Sequence, residues 1–253
     1  MKVIAIIQAR MSSTRLPGKV LMTLCNKPVL EHVVDRIDCC NLIEKIVVAT
    51  SIDPSDDAIE AWCSKKNVAC YRGSLNDVLD RYYQAAKHYH ADVIVRITAD
   101  CPVIDPTIVD EVVQGFLNGN YDTYSLSGEF PDGLDCQAFA FTAIEKAWRE
   151  ATLPSEREHV GPYIEKSHPE LFKRGGLFKF KELSHLRWTL DEPKDYQFLQ
   201  IIYSRLYKEA SPFLAQDILN LLKNEPELSY INSEIIRNEG YLNSLKTDRT
   251  ANV

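Results

Sequence analysis

No apolar run in this sequence approaches the roughly 20 residues that a membrane-spanning helix needs. Stretches such as Ile46–Ala49 and Val93–Val95 are far too short, and Met1–Ile7 is too brief to be the core of a secretory signal. Neither membrane insertion nor standard secretion is expected, and a cytoplasmic location is. Cys-x-x-Cys pairs are absent too. The seven cysteines (25, 39, 40, 63, 70, 101 and 136) are scattered and odd in number, which speaks against a structural zinc site and suits reduced thiols. Positive charge is not in excess: 29 Lys+Arg face 36 Asp+Glu, a net charge of −7. A long groove gripping a nucleic-acid backbone is therefore not expected. Linkers rich in Gly, Ser or Pro are missing, as are internal repeats and low-complexity segments. The chain reads as one continuous unit, 1–253. Its 253 residues, 45% apolar and 26% charged, suffice for a sizeable core without disulfides.

What is present is an alternation of strands and helices. Lys2–Ile7 is a β-branched apolar run, as in strands buried on both faces. Pro28–Ile37 has apolar residues at 30, 33, 34 and 37, which is helical spacing with proline in the first turn. Strands are predicted at Lys45–Thr50, Val68–Tyr71 and Asp92–Thr98, and helices at Ala58–Lys66, Asn76–His90 and Pro106–Leu117. Such alternation implies parallel strands with right-handed crossovers, and ligands at the carboxyl ends of the strands. The second half is less regular. Helices are expected at Phe139–Glu150, Arg157–Lys166, Asp195–Tyr203, Ser211–Lys223 and Tyr230–Arg237, and strand-like runs at Leu177–Phe180 and Arg187–Leu190.

Two segments that follow strands carry unusual chemistry. Gln8–Lys19 places Arg10, Arg15 and Lys19 in one loop with Ser12, Ser13, Thr14 and Gly18. Backbone N–H groups, arginine forks and a lysine suit an anion such as phosphate. The spacing is not that of a Walker A loop. Thr98-Ala-Asp-Cys-Pro102 sets Asp100 on the same rim. Asp100 suits either a metal or a helix cap, although Asp105, directly before Pro106, suits the cap better. Asp191, before Glu192-Pro193, has the same two readings.

Together with Asn26-Lys-Pro-Val-Leu-Glu-His32, the pattern Arg10-x-x-Ser-Thr-Arg-Leu-Pro-Gly-Lys19 resembles the N-terminal signature of the sugar-acid cytidylyltransferases. The spore-coat polysaccharide (SpsF-type) branch is most similar, through Gly73–Tyr82, Arg96–Pro102, Phe130–Asp135, Ser155–His159, Arg187–Pro193 and Arg237–Tyr241. The resemblance spans nearly the whole chain. It implies a GT-A-like α/β/α sandwich around a mostly parallel twisted sheet, with a nucleotide-binding half at 1–120 and an acceptor-binding half at 121–253. It also implies an Mg²⁺-dependent transfer of CMP from CTP to a sugar acid, with loss of pyrophosphate, by a homodimer.

On that resemblance Arg10 and Lys19 bind the β- and γ-phosphates, with Ala9, Ser12, Ser13 and Arg15 beside them, and Asp100 and Asp191 hold Mg²⁺. Arg72, Asn76 and Asp77 match the base- and ribose-reading region, but Asn76 serves equally as a helix cap. The acceptor candidates are Asp132, Asp135, Arg157 and His159. Their plain alternatives are a turn at Asp132-Gly133 and a solvated helix face at Arg157–His159. The other histidines lack ligand spacing, and Trp148 and Trp188 suit the core. Rival functions are nucleotidyl transfer from another NTP or to a phosphorylated sugar or polyol, a glycosyltransferase, and a non-catalytic assembly partner. Against the glycosyltransferase, Asp100-Cys-Pro-Val-Ile-Asp105 lacks D-x-D spacing.

Overall fold

The structure is a computed structural model that describes residues 1–209 and 211–251, with side chains to 248. The first half alternates as its patterning predicts. Strand β1 (Val3–Gln8) leads through a two-stranded ribbon, β2 (Thr23–Leu24) and β3 (Lys27–Pro28), into helix α1 (Val29–Asp38). Then come β4 (Lys45–Ser51), α2 (Asp57–Lys66), β5 (Ala69–Gly73), α3 (Val78–His88), β6 (Val93–Thr98) and α4 (Pro106–Asn118). The second half contributes β7 (Thr123–Ser127), β8 (Gln137–Ala140), α5 (Phe141–Glu150), α6 (Pro154–His159), β9 (Arg174–Phe178), α7 (Pro193–Leu206), α8 (Ala215–Asn224) and α9 (Glu239–Ala251).

Seven strands form one sheet in the order β5-β4-β1-β6-β8-β7-β9. All are parallel except β8, which runs antiparallel to both of its neighbours. The chain goes from β1 outward to β4 and β5, then returns to place β6 on the other side of β1. This reversal opens a crevice at the carboxyl ends of β1 and β6. Side-chain alternation divides the core between the two faces. Ala5, Ile7, Val93, Val95 and Ile97 pack with α1, α2, α4, α7 and α8. Ile4, Ile6 and Ile94 pack with α3, α5 and the segment Val160–Ile164.

Several predicted elements are corrected. The helix expected from Phe139 starts at Phe141, because Gln137–Ala140 is strand β8. A four-residue apolar strand next to a helix has no period that separates the two. Strand β7 was not anticipated. The helix expected over Arg157–Lys166 breaks where Val160 adopts φ 68°, and a wider single-turn helix follows at Tyr163–Ser167. Arg187–Leu190 is extended but joins the sheet's neighbourhood only through a bridge between Arg187 and Asp132. In place of a helix at Tyr230–Arg237 there is a 3₁₀ turn at Pro226–Tyr230 and then α9.

Asp105 ties two helices of one layer, α4 and α8, together. It is buried, and its Oδ1 accepts the Thr107 and Ile108 N–H groups that open α4, at 2.9 and 3.4 Å. Its Oδ2 accepts the Ala215 N–H at the start of α8, at 2.8 Å. Losing a cap and leaving a buried donor unpaired are together expected to cost about 2–4 kcal/mol in Asp105→Ala. Urea unfolding measures this; a loss below about 0.5 kcal/mol would show that the cap contributes little.

Candidate active site

The loop after β1 is shaped by its own backbone. The Ser13 and Gly18 N–H groups both donate to the Met11 carbonyl, at 3.0 and 2.9 Å, and the Met11 N–H donates to Asp56 at 2.7 Å. Gly18 sits at φ +72°, a left-handed turn that suits glycine, and a 3₁₀ turn over Lys19–Leu21 follows. The result aims Lys19 inward, where it is 8% exposed. Its ammonium donates to Asp100 at 2.7 Å and to Asp191 at 2.8 Å. The two acids are set by neighbouring backbone: the Leu190 N–H donates to the Asp100 carbonyl at 2.8 Å, and the Thr189 hydroxyl to the same oxygen at 3.2 Å. Arg15 closes the rim, reaching Asp191 at 3.0 Å, Glu192 at 3.5 Å and Glu239 of α9 at 3.1 Å.

Burial alone would push the Lys19 ammonium down, but Asp100 and Asp191 outweigh it and raise its pKa. Burial would likewise push the Asp100 carboxyl up, yet Lys19 holds it at about 2. Neither acid is a helix cap. Asp105 caps α4, and Asp195 accepts the Asp191 and Glu192 N–H groups at 2.9 Å each before α7. Both carboxylates therefore point at one position, now held by an ammonium. Hard oxygen donors of this kind suit Mg²⁺, which takes only one or two protein carboxylates and completes its shell with phosphate and water. Among the described residues no group of three metal-ligating side chains exists.

Behind the two acids lies Arg187. Its guanidinium binds Asp195 at 2.9 and 3.0 Å, Asp132 at 2.9 Å and Asp191 at 3.0 Å. Burial opposes its charge, but those carboxylates raise its pKa. Asn232 donates to the Arg187 carbonyl at 3.0 Å and to Asp195 at 2.8 Å, completing a fully paired cluster.

The rim opens into a cleft of about 670 Å³. Ala9, Arg10, Ser13, Arg15, Lys19, Asp100, Asp132, Asp135, His159 and Asp191 line it. Other expected residues lie elsewhere. Ser12 is exposed outside the cleft. Arg72 is held by Asp57 and Glu60, each at 2.7 Å. Asp77, not Asn76, caps α3 by accepting the Asp80 N–H at 2.9 Å, and Asn76 is exposed. Arg157 is bound to that same Asp77, with its Nε at 2.9 Å, so neither faces the cleft. Asp132–Asp135 forms the expected turn: Gly133 at φ +103° donates to Asp135 at 3.1 Å, and a Cβ there would meet the Trp188 backbone carbon at 2.6 Å. His159 shares a hydrogen bond with Ser244 at 2.9 Å and lies edge-on to Tyr241. Sequence reasoning missed Arg81, Arg96, Arg187 and the residues of α9. The signal for Arg96 was available: it is a lone cation inside the apolar strand Val93–Thr98.

A sequence profile of the family described as cytidylyltransferase matches residues 4–231. Spore coat polysaccharide biosynthesis protein SpsF of Bacillus subtilis is 33% identical over 234 residues, 89% of this chain and 95% of that protein. A 3-deoxy-manno-octulosonate cytidylyltransferase of Geobacter metallireducens is 34% identical over 113 residues, 45% of this chain and 44% of that protein. The structure of a cytidylyltransferase from Leptospira borgpetersenii superimposes with a TM-score of 0.85 at 36% identity, covering 90% of this chain and 97% of that chain.

Because Lys19 holds the Asp100 pKa below its ordinary value, the pair adds stability above about pH 4 that is lost as the pH falls toward about 2. In Lys19→Met, burial is opposed only by hydrogen bonds from Thr98 and the backbone, and Asp100 is expected to titrate clearly above about 2. Carboxyl ¹³C NMR titration reads this directly; a carboxyl still titrating near 2 would show that Lys19 is not the cause.

Proposed function

The chain belongs to the cytidylyltransferase family, and from that premise we propose that it transfers CMP from CTP to a sugar acid, in the making of a surface glycan. The observation that carries this reading is the Lys19 ammonium clasped by Asp100 and Asp191 at 2.7 and 2.8 Å, beside the cationic loop and over the sheet's switch point. The octulosonate relative supports the acceptor class, and the SpsF relative supports a role in polysaccharide biosynthesis. In this reading residues 1–120 carry the nucleotide and residues 121–253 complete the acceptor side of one working unit.

The acceptor oxygen attacks the α-phosphorus in line, and the bond from that phosphorus to the bridging oxygen of the β-phosphate breaks. Pyrophosphate leaves with the electron pair, and the acceptor hydroxyl gives its proton to solvent. Arg10 and Lys19 face the β- and γ-phosphates, where negative charge builds on the leaving group. Preplaced cations at such a point lower the barrier without reorganising. Arg15 and Ser13 hold the loop's shape against the triphosphate. Asp100 and Asp191 would hold Mg²⁺, which supplies Lewis-acid charge at the α-phosphate. Lys19 then shifts its hydrogen bonds from the two carboxylates to phosphate oxygens. Arg187, bound to Asp191 at 3.0 Å, holds that carboxylate in position throughout.

Asp100→Asn keeps the side chain's shape and removes its charge. We expect pyrophosphate release from CTP and acceptor to fall at least about 100-fold, with the folded state intact by circular dichroism. Unchanged turnover would sink the assignment of Asp100. A thermal-shift panel of CTP, UTP, GTP and ATP with Mg²⁺ tests the base, because a ligand bound only by the native state raises stability. CTP should shift the melting temperature most; a larger shift with ATP would overturn the choice of nucleotide.

A further inference from the structure

The sheet's alternation creates a second polar region on the face opposite the α1 side. Ile94, Arg96 and Thr98 of β6 point to the α3 face, and in register beside them β1 contributes Ile6 opposite Arg96 and Gln8 opposite Thr98. Arg81 of α3 reaches the same region with 1% exposure. Its Nη1 donates to the Ser74 carbonyl at 2.9 Å. Its neighbour Tyr82 donates to the carbonyls of Ile6 and Ile97, at 3.1 Å each, and fixes α3 over these strands.

The charge arrangement here is the reverse of that on the rim. Lys19 and Arg15 are each paired with two or three carboxylates. Arg81 and Arg96 have no ion pair among the described residues, and the Nε of each and the Oε1 of Gln8 are buried without a partner. The nearby acids do not close an ion pair with them: Glu165, whose carboxyl burial pushes up against the pull of Arg96, accepts from Gln137 at 2.5 Å, and Glu158 accepts from Ser244 at 2.6 Å. His159 does not compensate as an acid would; burial, together with Arg96 and Arg10, pushes its pKa down toward the neutral ring. A guanidinium Nε buried without a hydrogen-bond partner is costly unless an acceptor completes it.

We propose that the well between α3, β6, α6 and α9 is an anion subsite separate from the triphosphate loop, and that it takes the carboxylate or phosphate of the acceptor. The proposal rests on the CMP-transfer reading. Arg96 and Arg81 supply the charge. Tyr241 of α9 lines the same cleft and presents a hydroxyl suited to a polyhydroxylated molecule.

The test is isothermal titration of four probes into the nucleotide-free full chain: 3-deoxy-manno-octulosonate, its uncharged methyl ester, glycerol 3-phosphate and glycerol. At least one anion should bind at least tenfold more tightly than its neutral counterpart, and the anion that does so identifies carboxylate or phosphate as the preferred group. Arg96→Gln should weaken that anion at least tenfold and CTP less than twofold, and Arg96→Lys should recover part of the loss. No preference for either anion would overturn the subsite, as would a variant that loses CTP and anion affinity equally. If the Gln variant fails to fold, the wild-type probe comparison and the Lys variant still decide. CTP binding without anion preference overturns the subsite alone, whereas no CTP binding to the unaltered protein overturns the CMP-transfer reading with it.

Discussion

The site is organised around one ammonium group between two carboxylates. Lys19 lies in a loop after β1, Asp100 follows β6, and Asp191 precedes α7, so the contact joins three distant parts of the chain. Two acids aimed at one position in a partly dry crevice repel each other unless a cation lies between them. Lysine meets that need as a compact point charge on a flexible stem. The same flexibility lets it leave the position and follow a phosphate, which a fixed guanidinium fork would not do. In the proposed reaction the resting contact is therefore a placeholder as well as a support.

That placeholder depends on a second charge centre one layer deeper. Arg187 spans Asp132, Asp191 and Asp195, while Asn232 takes the remaining acceptor capacity. Asp195, with no exposure, also closes the start of α7. A fully satisfied buried network of this kind fixes side-chain geometry more strictly than apolar packing. The crevice thus has a rigid inner shell and a replaceable outer one. The α3 side differs from both, since Arg81 and Arg96 have no ion pair among the described residues and the Nε of each is buried without a partner.

Much of this was legible in the residues. The first half's strands and helices follow from β-branched runs and helical spacing, and the loop Gln8–Lys19 announces itself by three cations in an acidic chain. The capping role of Asp105 follows from Pro106. Legibility failed where information is not local. β8 is four residues long, and its identity comes from pairing with β6 and β7, not from its own pattern. Asn76 and Asp77 are adjacent and chemically alike as caps, and the choice falls to Asp77, which also meets Arg157. Arg157 looked free to bind a ligand because its partner lies in a different helix. Arg187 was passed over because a lone arginine in a short extended run gives no sign of the acids that tertiary folding gathers around it.

The reversed strand β8 has a mechanical consequence. Because it lies between β6 and β7, the second half of the chain is bonded edge to edge into the same sheet as the first, and the two halves share one floor. Closure by a hinge between them would tear a ladder of backbone hydrogen bonds across the middle of the sheet. Any adjustment to an arriving molecule is therefore confined to the roof. That roof is α6 and α9, held by side-chain contacts such as Arg15–Glu239 and His159–Ser244 rather than by strand pairing. Such contacts exchange readily with ligand oxygens. The protein grips by settling a ceiling onto a fixed floor, not by closing two jaws.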